Sequence, residues 1–169
     1  MCTENEVRKV IQGAGLIGDP SYIPWLIGHM ADDKWARLAG ESFSMITGAD
    51  LALLDLERKP PENIDSGSND DPEDENVDMD ADEDLPWPDQ VRVQAWWTQH
   101  GTRFAQGTRH FVGAPVSRNH CLDVLKNGYQ RQRIAAAYHL CLLAPGTPLF
   151  EWRAPAWRQQ RELEQIGQL

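Results

Sequence analysis

The chain has 169 residues, of which 26 are Asp or Glu and 16 are Lys or Arg, giving a formal net charge of −10. This length predicts one domain. Its three cysteines have no paired spacing, which argues against a disulfide framework and favours a cytoplasmic location. No apolar run approaches the roughly 18 residues of a membrane span, and the first residues are polar, so we expect neither a membrane segment nor a secretory signal.

The N-terminal third of the chain predicts three helices, because apolar residues recur there at intervals of three and four. The apolar stripes occupy residues 7–14, 23–30 and 35–46. Gly18 marks a turn after the first stripe, and Ser21 is expected to cap the second helix. Gly48 follows the third stripe, where a helix C-terminus favours a residue that tolerates positive φ.

The next segment, residues 62–89, carries thirteen carboxylates and neither Lys nor Arg. The rest of the chain holds 16 basic and 13 acidic residues, so this segment alone makes the protein anionic. An unpaired carboxylate is costly to bury, and the composition is typical of disorder. We therefore expect a disordered or loop-like acidic insert over residues 61–87, which stays solvated, binds a metal or meets a basic partner.

Calcium is the metal alternative for this insert. Asp78, Asp80 and Asp82 follow the D-x-D-x-D pattern of a calcium-binding loop. However, Glu83 stands where that loop requires glycine, and Asp89 stands where it requires a bidentate glutamate. The sequence therefore disfavours an EF-hand.

Trp87 stands between two prolines at the end of the insert. We expect it to clamp the insert onto the helices, with an exposed anchor for a partner as the alternative. Other tryptophans lie on or near the apolar stripes and are assigned to the core. They are Trp25, Trp35, Trp96 and Trp97.

The C-terminal half predicts four further helices. Asp89 begins the first of them, Ser117 precedes the second, and Gly128 ends it. Residues 134–142 form the apolar stripe of the third, and Pro155 suits the first turn of the last. No segment alternates with a period of two, so no strand is expected. The pattern gives an all-α protein of seven helices arranged in pairs.

An internal sequence similarity, which we call the internal echo, supports the pairing of helices. Residues 23–48 resemble residues 121–146, since each reads as a short helix, a polar turn and a longer helix that opens with small residues. Such helical hairpins bury their apolar faces by stacking on one another. The stretch GLIGDPSYIPWLIGHMADDKWARLAGESFSMITG resembles a HEAT repeat.

The longer pattern that continues through DEDLPWPD, RQRIAAAYHL and PGTPLFEWRAPAWRQQ resembles the C-terminal part of a family of bacterial HEAT-repeat proteins. That family is often encoded near type VI secretion components. The resemblance implies stacked antiparallel helical hairpins. Residues 1–60 and 88–169 would each form hairpins, and the two sets would pack into one domain around the acidic insert.

Metal and catalytic sites are not expected. His120 and Cys121 are adjacent, and His139 and Cys141 are two apart, so neither pair points to one side of a helix. Structural zinc sites use more widely spaced pairs of ligands. The sequence contains no motif for an activated nucleophile, a phosphate-binding loop or a zinc hydrolase. We therefore assign no active site, no metal and no cofactor.

The basic C-terminal half invites two further interpretations. Its arginines could contact nucleic acid, or they could receive the acidic insert within the same chain at a high effective concentration. The net negative charge opposes binding of a polyanion, so we favour solvated faces and internal pairing. The arginines are Arg92, Arg103, Arg109, Arg118, Arg131, Arg133, Arg153, Arg158 and Arg161.

Charge and the secretion context together suggest a protein-binding function. A carboxylate-rich face complements the cationic groove of a toxin that acts on nucleic acid, which suggests an immunity-type protein that neutralises such a toxin. The alternatives are a scaffold or effector-loading adaptor of a type VI secretion system, and an acidic calcium-binding regulatory module. The residues assigned to partner binding are Asp70, Asp71, Glu73, Asp74, Glu75, Asp78, Asp80, Asp82, Glu83, Asp84, Trp87 and Trp96.

Overall fold

The computed structural model describes residues 3–62 and 80–168, and this part of the chain is mostly helical. The all-α class is confirmed, and each of the seven predicted helices is present. Their bounds are α1 Glu4–Ile17, α2 Ile23–His29, α3 Asp33–Thr47, α4 Gln90–His100, α5 Arg118–Asn127, α6 Gln130–Leu143 and α7 Ala156–Gln168. No helix in the described ranges combines the length and the apolar character that crossing a membrane requires.

Local capping explains where several of these helices begin. The Asp89 carboxylate accepts hydrogen bonds from the backbone N–H groups of Val91 and Arg92, at 3.0 and 3.1 Å, and so begins α4. Ser117 caps α5 in the same way. The expectation for Ser21 is wrong. Asp19 accepts from the Ser21 N–H at 2.9 Å and starts a short 3-10 turn, Pro20–Tyr22, that leads into α2.

Two apolar clusters form the core of the part that the structure describes. The first lies among α1, α2, α3 and α4, and the second lies among α5, α6, α7 and the segment before α5. Leu16 of α1 and Met45 of α3 pack against the second cluster and join the two. The hairpins α2–α3 and α5–α6 coincide with the two segments of the internal echo. Their stacking in HEAT fashion stays a prediction.

A short β-hairpin is present where no strand was expected. Strands β1, His110–Phe111, and β2, Ala114–Pro115, pair antiparallel. Two residues are too few to show an alternation of apolar and polar side chains, so the periodicity could not reveal them.

The hairpin lies against the C-terminal ends of α1 and α3. The His110 N–H donates to the Gly18 carbonyl at 2.7 Å, and the Val112 N–H donates to the Met45 carbonyl at 2.7 Å. The Gly113 N–H donates to the Ile46 carbonyl. The last carbonyls of a helix have no partner within the helix, and the hairpin supplies donors for them. It thereby ties the C-terminal half to the N-terminal helices.

Candidate protein-binding surfaces

The C-terminal end of the acidic insert is bound by the helices. Arg8 of α1 donates from both terminal nitrogens to the Asp82 carboxylate, with Nη1–Oδ2 and Nη2–Oδ1 distances of 2.7 and 2.6 Å. Asp82 is only 4 % exposed. A bidentate guanidinium–carboxylate pair compensates the loss of hydration of both ions better than a single contact would. The hydrogen bonds to Asp82 raise the pKa of Arg8.

Arg37 of α3 holds the same segment from a second side. Its guanidinium donates to the Asp82 carbonyl at 2.9 Å and to the Asp80 carboxylate. Asp80 also accepts from the Asp82 N–H at 2.9 Å. Burial works to raise the pKa of Asp80, but these hydrogen bonds outweigh it and the pKa is lowered. Asp80 is therefore held in its charged form.

Arg131 of α6 completes the contact. It donates to Glu41 Oε2 at 2.8 Å and to the Ala81 carbonyl at 2.5 Å, and its Nη1 lies 3.8 Å from Asp82 Oδ1. Burial raises the pKa of Glu41, and the neighbouring Arg131 guanidinium opposes that rise. We refer to Arg8, Arg37 and Arg131 as the arginine cluster.

The insert was expected to stay solvated, bind a metal or meet a basic partner, and its C-terminal end is instead held by arginines of the same chain. The side chains of Asp80 and Asp82 pair with these arginines, which leaves 27 % and 6 % of their surface exposed. We expected arginines of the C-terminal half to pair with the insert, and Arg131 is one that does. The closest contacts come from arginines before the insert: Arg8 precedes Asp82 by 74 residues, and Arg37 precedes Asp80 by 43.

The other eight carboxylates assigned to partner binding fall into two groups. Glu83 and Asp84 are exposed. Six lie outside the residues that the structure describes: Asp70, Asp71, Glu73, Asp74, Glu75 and Asp78.

Trp87 lies under two guanidinium groups and is only 8 % exposed. The Arg37 and Arg58 guanidinium carbons lie 4.7 and 5.3 Å from its ring centroid, a cation–π arrangement. The Arg58 N–H donates to the Trp87 carbonyl at 2.7 Å. Trp87 thus acts as the expected clamp and offers little surface to a partner. Trp96 is half-buried, edge-on to Phe43 at a centroid distance of 5.6 Å.

A second candidate surface is an apolar groove that the sequence did not indicate. Val10 and Ile17 of α1 are 57 % and 47 % exposed, and Trp25 of α2 is 39 % exposed. The groove has a volume of about 520 Å³ and is lined by Val10, Gly13, Ala14, Ile17, Tyr22 and Trp25. Trp25 was assigned to the core because it lies on or near an apolar stripe, and Val10 lies within the stripe of residues 7–14. Helical periodicity shows that a helix has an apolar face, but it does not show which side of that face another helix covers.

Metal binding receives no support from the described side chains. Within residues 3–62 and 80–168, no three His, Cys, Asp or Glu residues are placed to hold an ion together. Asp80 and Asp82, two of the three carboxylates of the calcium-like pattern, already face guanidinium groups. The histidines next to the cysteines contact other groups, since His120 Nε2 lies 2.7 Å from the Phe111 carbonyl and His139 Nδ1 lies 3.3 Å from Arg109 Nη2.

Comparison with protein-family models, with curated protein sequences and with solved structures finds no match to this chain.

Loss of the Arg8–Asp82 pair should be measurable as a loss of stability. Arg8→Ala is expected to lower the free energy of unfolding by about 2 kcal/mol, because the Asp82 carboxylate stays buried without its bidentate partner. Urea unfolding of Arg8→Ala, Asp82→Asn and the double variant gives the coupling energy of the pair. Arg153→Ala, at an exposed arginine, should change stability by less than about 0.5 kcal/mol. A coupling energy near zero would contradict the pairing.

Proposed function

We propose that this chain binds another protein through the charge of its acidic insert, and that the partner presents a basic surface. The observation that carries this proposal is the anchoring of the insert. Arg58 pairs with Trp87 on one side, and the arginine cluster binds Asp80 and Asp82. The C-terminal end of the insert is therefore held on the helices, with Glu83 and Asp84 exposed beside it.

Electrostatics favours a basic partner. The chain keeps a net charge of −10 whatever its internal pairs, and complementary charge accelerates association and selects partners. The more specific proposal is an immunity-type protein that neutralises a secreted toxin. A toxin that acts on nucleic acid has a cationic groove, and carboxylates can occupy such a groove because they present acceptor oxygens as phosphates do. This version rests on the family resemblance as well as on charge.

The test uses neutralised variants and a partner captured from the native cells. One variant carries Asn or Gln at eight positions: Asp70, Asp71, Glu73, Asp74, Glu75, Asp78, Glu83 and Asp84. It leaves Asp80 and Asp82 in place, so the anchoring is preserved. We expect its association rate with the purified partner to fall by about tenfold or more at low salt.

The control variant neutralises three exposed carboxylates outside the insert, namely Glu57, Asp123 and Glu164. Measured at the same low salt, it should lower the association rate by less than about threefold, because it removes fewer charges and none of them lies in the insert. Equal rates for the wild-type chain and the eightfold variant, with an unaltered circular dichroism spectrum, would refute the proposal.

A second candidate function is a scaffold or adaptor that binds through the apolar groove. Exposed apolar patches of this kind commonly mark protein–protein contacts, and the exposure of Val10, Ile17 and Trp25 favours this alternative. Under it, Val10→Ser with Ile17→Ser should weaken binding of the captured partner by about tenfold or more, and the eightfold neutralised variant should bind normally. The two sets of variants therefore separate the two functions.

A further inference from the structure

We propose that the arginine cluster is a binding site for acidic peptides with an Asp-x-Asp sequence. The chain's own residues 80–82 occupy this site in the structure, and an acidic segment of another protein can take their place. This inference goes beyond the proposed function, because the ligand is acidic whereas the partner proposed above is basic.

The arginine cluster binds residues 80–82 through both side chains and backbone, as a peptide-binding site does. The cluster binds both carboxylates and two backbone carbonyls of a three-residue segment: Arg8 takes the Asp82 carboxylate, Arg37 takes the Asp80 carboxylate and the Asp82 carbonyl, and Arg131 takes the Ala81 carbonyl. The Ala81 side chain is exposed, so the middle position can carry other residues. Planar guanidinium groups suit such paired acceptors better than lysines do.

The site belongs to the helices and does not depend on the segment for its construction. Its three arginines come from α1, α3 and α6. Glu41 of α3 holds Arg131 at 2.8 Å, and the Trp87 ring lies against Arg37 at 4.7 Å. Without the segment, three guanidinium groups would face one carboxylate, Glu41, among the neighbours that the structure describes. This excess of positive charge favours an anionic ligand.

A free peptide can replace residues 80–82 at the arginine cluster. The Arg8 and Arg131 side chains keep 29 % and 37 % of their surface exposed, so water and a competing peptide can reach them. The tethered segment competes at an effective concentration on the order of millimolar. A free peptide therefore binds weakly to the wild-type chain and more tightly to a chain whose own segment has lost its two charges.

The test measures fluorescence polarisation of a labelled peptide of residues 80–84 added to the full chain. Asp80→Asn with Asp82→Asn in the chain should tighten peptide binding by about tenfold or more relative to the wild type. The same peptide with Asn in place of Asp80 and Asp82 should not bind. Arg37→Gln, added to the double variant, should abolish binding, whereas Arg153→Gln should leave it unchanged.

Two outcomes overturn the proposal: equal peptide affinity of the wild-type and double-variant chains, or equal affinity for the Asp and Asn peptides. Circular dichroism and thermal melting establish that the variants are folded. If the double variant does not fold, Asp80→Asn alone keeps the buried Arg8–Asp82 pair and makes the same comparison with a smaller change in affinity.

Discussion

Gly18→Ala is expected to lower the free energy of unfolding by about 3 kcal/mol. Gly18 ends α1 with φ of 77°, where a residue with a side chain is strained by roughly 1–2 kcal/mol. A Cβ at this position would lie 2.1 Å from the His110 carbonyl oxygen, so the hairpin would also have to move. The steric cost of such overpacking is typically about 1–3 kcal/mol.

Gly107 provides a matched control for the backbone strain that a side chain causes at positive φ. It has the same φ of 77°, but a Cβ there would meet no atom within 4 Å among the described residues. Gly107→Ala should therefore cost only about 1 kcal/mol. Urea unfolding measures both variants, and the difference between them reports the contact between Gly18 and the hairpin. Equal losses would show that the hairpin moves away without cost and does not tie the two halves together.

Features that depend on neighbouring residues were predictable from the sequence. Asp89 begins α4 and Gly48 ends α3 as expected, because a cap acts on backbone groups only two to four residues away. The seven helices were visible for the same reason, since their apolar spacing repeats within each segment.

Features that depend on distant residues were not predictable. The burial of Asp82 requires Arg8, which lies 74 residues earlier in the chain, and no local pattern pairs them. The exposure of Val10 likewise depends on which helices surround α1. The candidate sites consist mainly of such distant relationships, so the sequence indicated the charge of the insert but not where its end binds.

His139 is expected to make the fold sensitive to acid. It lies fully buried in α6, against the Phe111 ring at a centroid distance of 4.7 Å. Its Nδ1 faces Arg109 Nη2 at 3.3 Å, and its Nε2 has no hydrogen-bond partner among the described groups. Burial, and then the nearby Arg109 and His120, lower the pKa of His139 from 6.5 to about 4.

The direction of the pH effect follows from this lowered pKa. Between pH 6.5 and about 4 the unfolded chain binds a proton at His139 that the folded chain does not, so acid favours unfolding. The stability that neutral His139 provides is fully present above pH 6.5, and about 3 kcal/mol of it is lost by pH 4. The partly buried Glu41, whose pKa is raised, acts in the opposite direction because protonation stabilises the folded state.

His139→Asn isolates the contribution of the histidine. The asparagine side chain keeps an acceptor for Arg109 but does not titrate, and Glu41 is present in both chains, so its effect cancels in the comparison. Urea unfolding at a series of pH values from 7 to about 4 should show the wild type losing about 3 kcal/mol more than the variant. Parallel curves for the two proteins would mean that His139 accepts a proton within the fold, which the Arg109 guanidinium and the surrounding apolar side chains argue against.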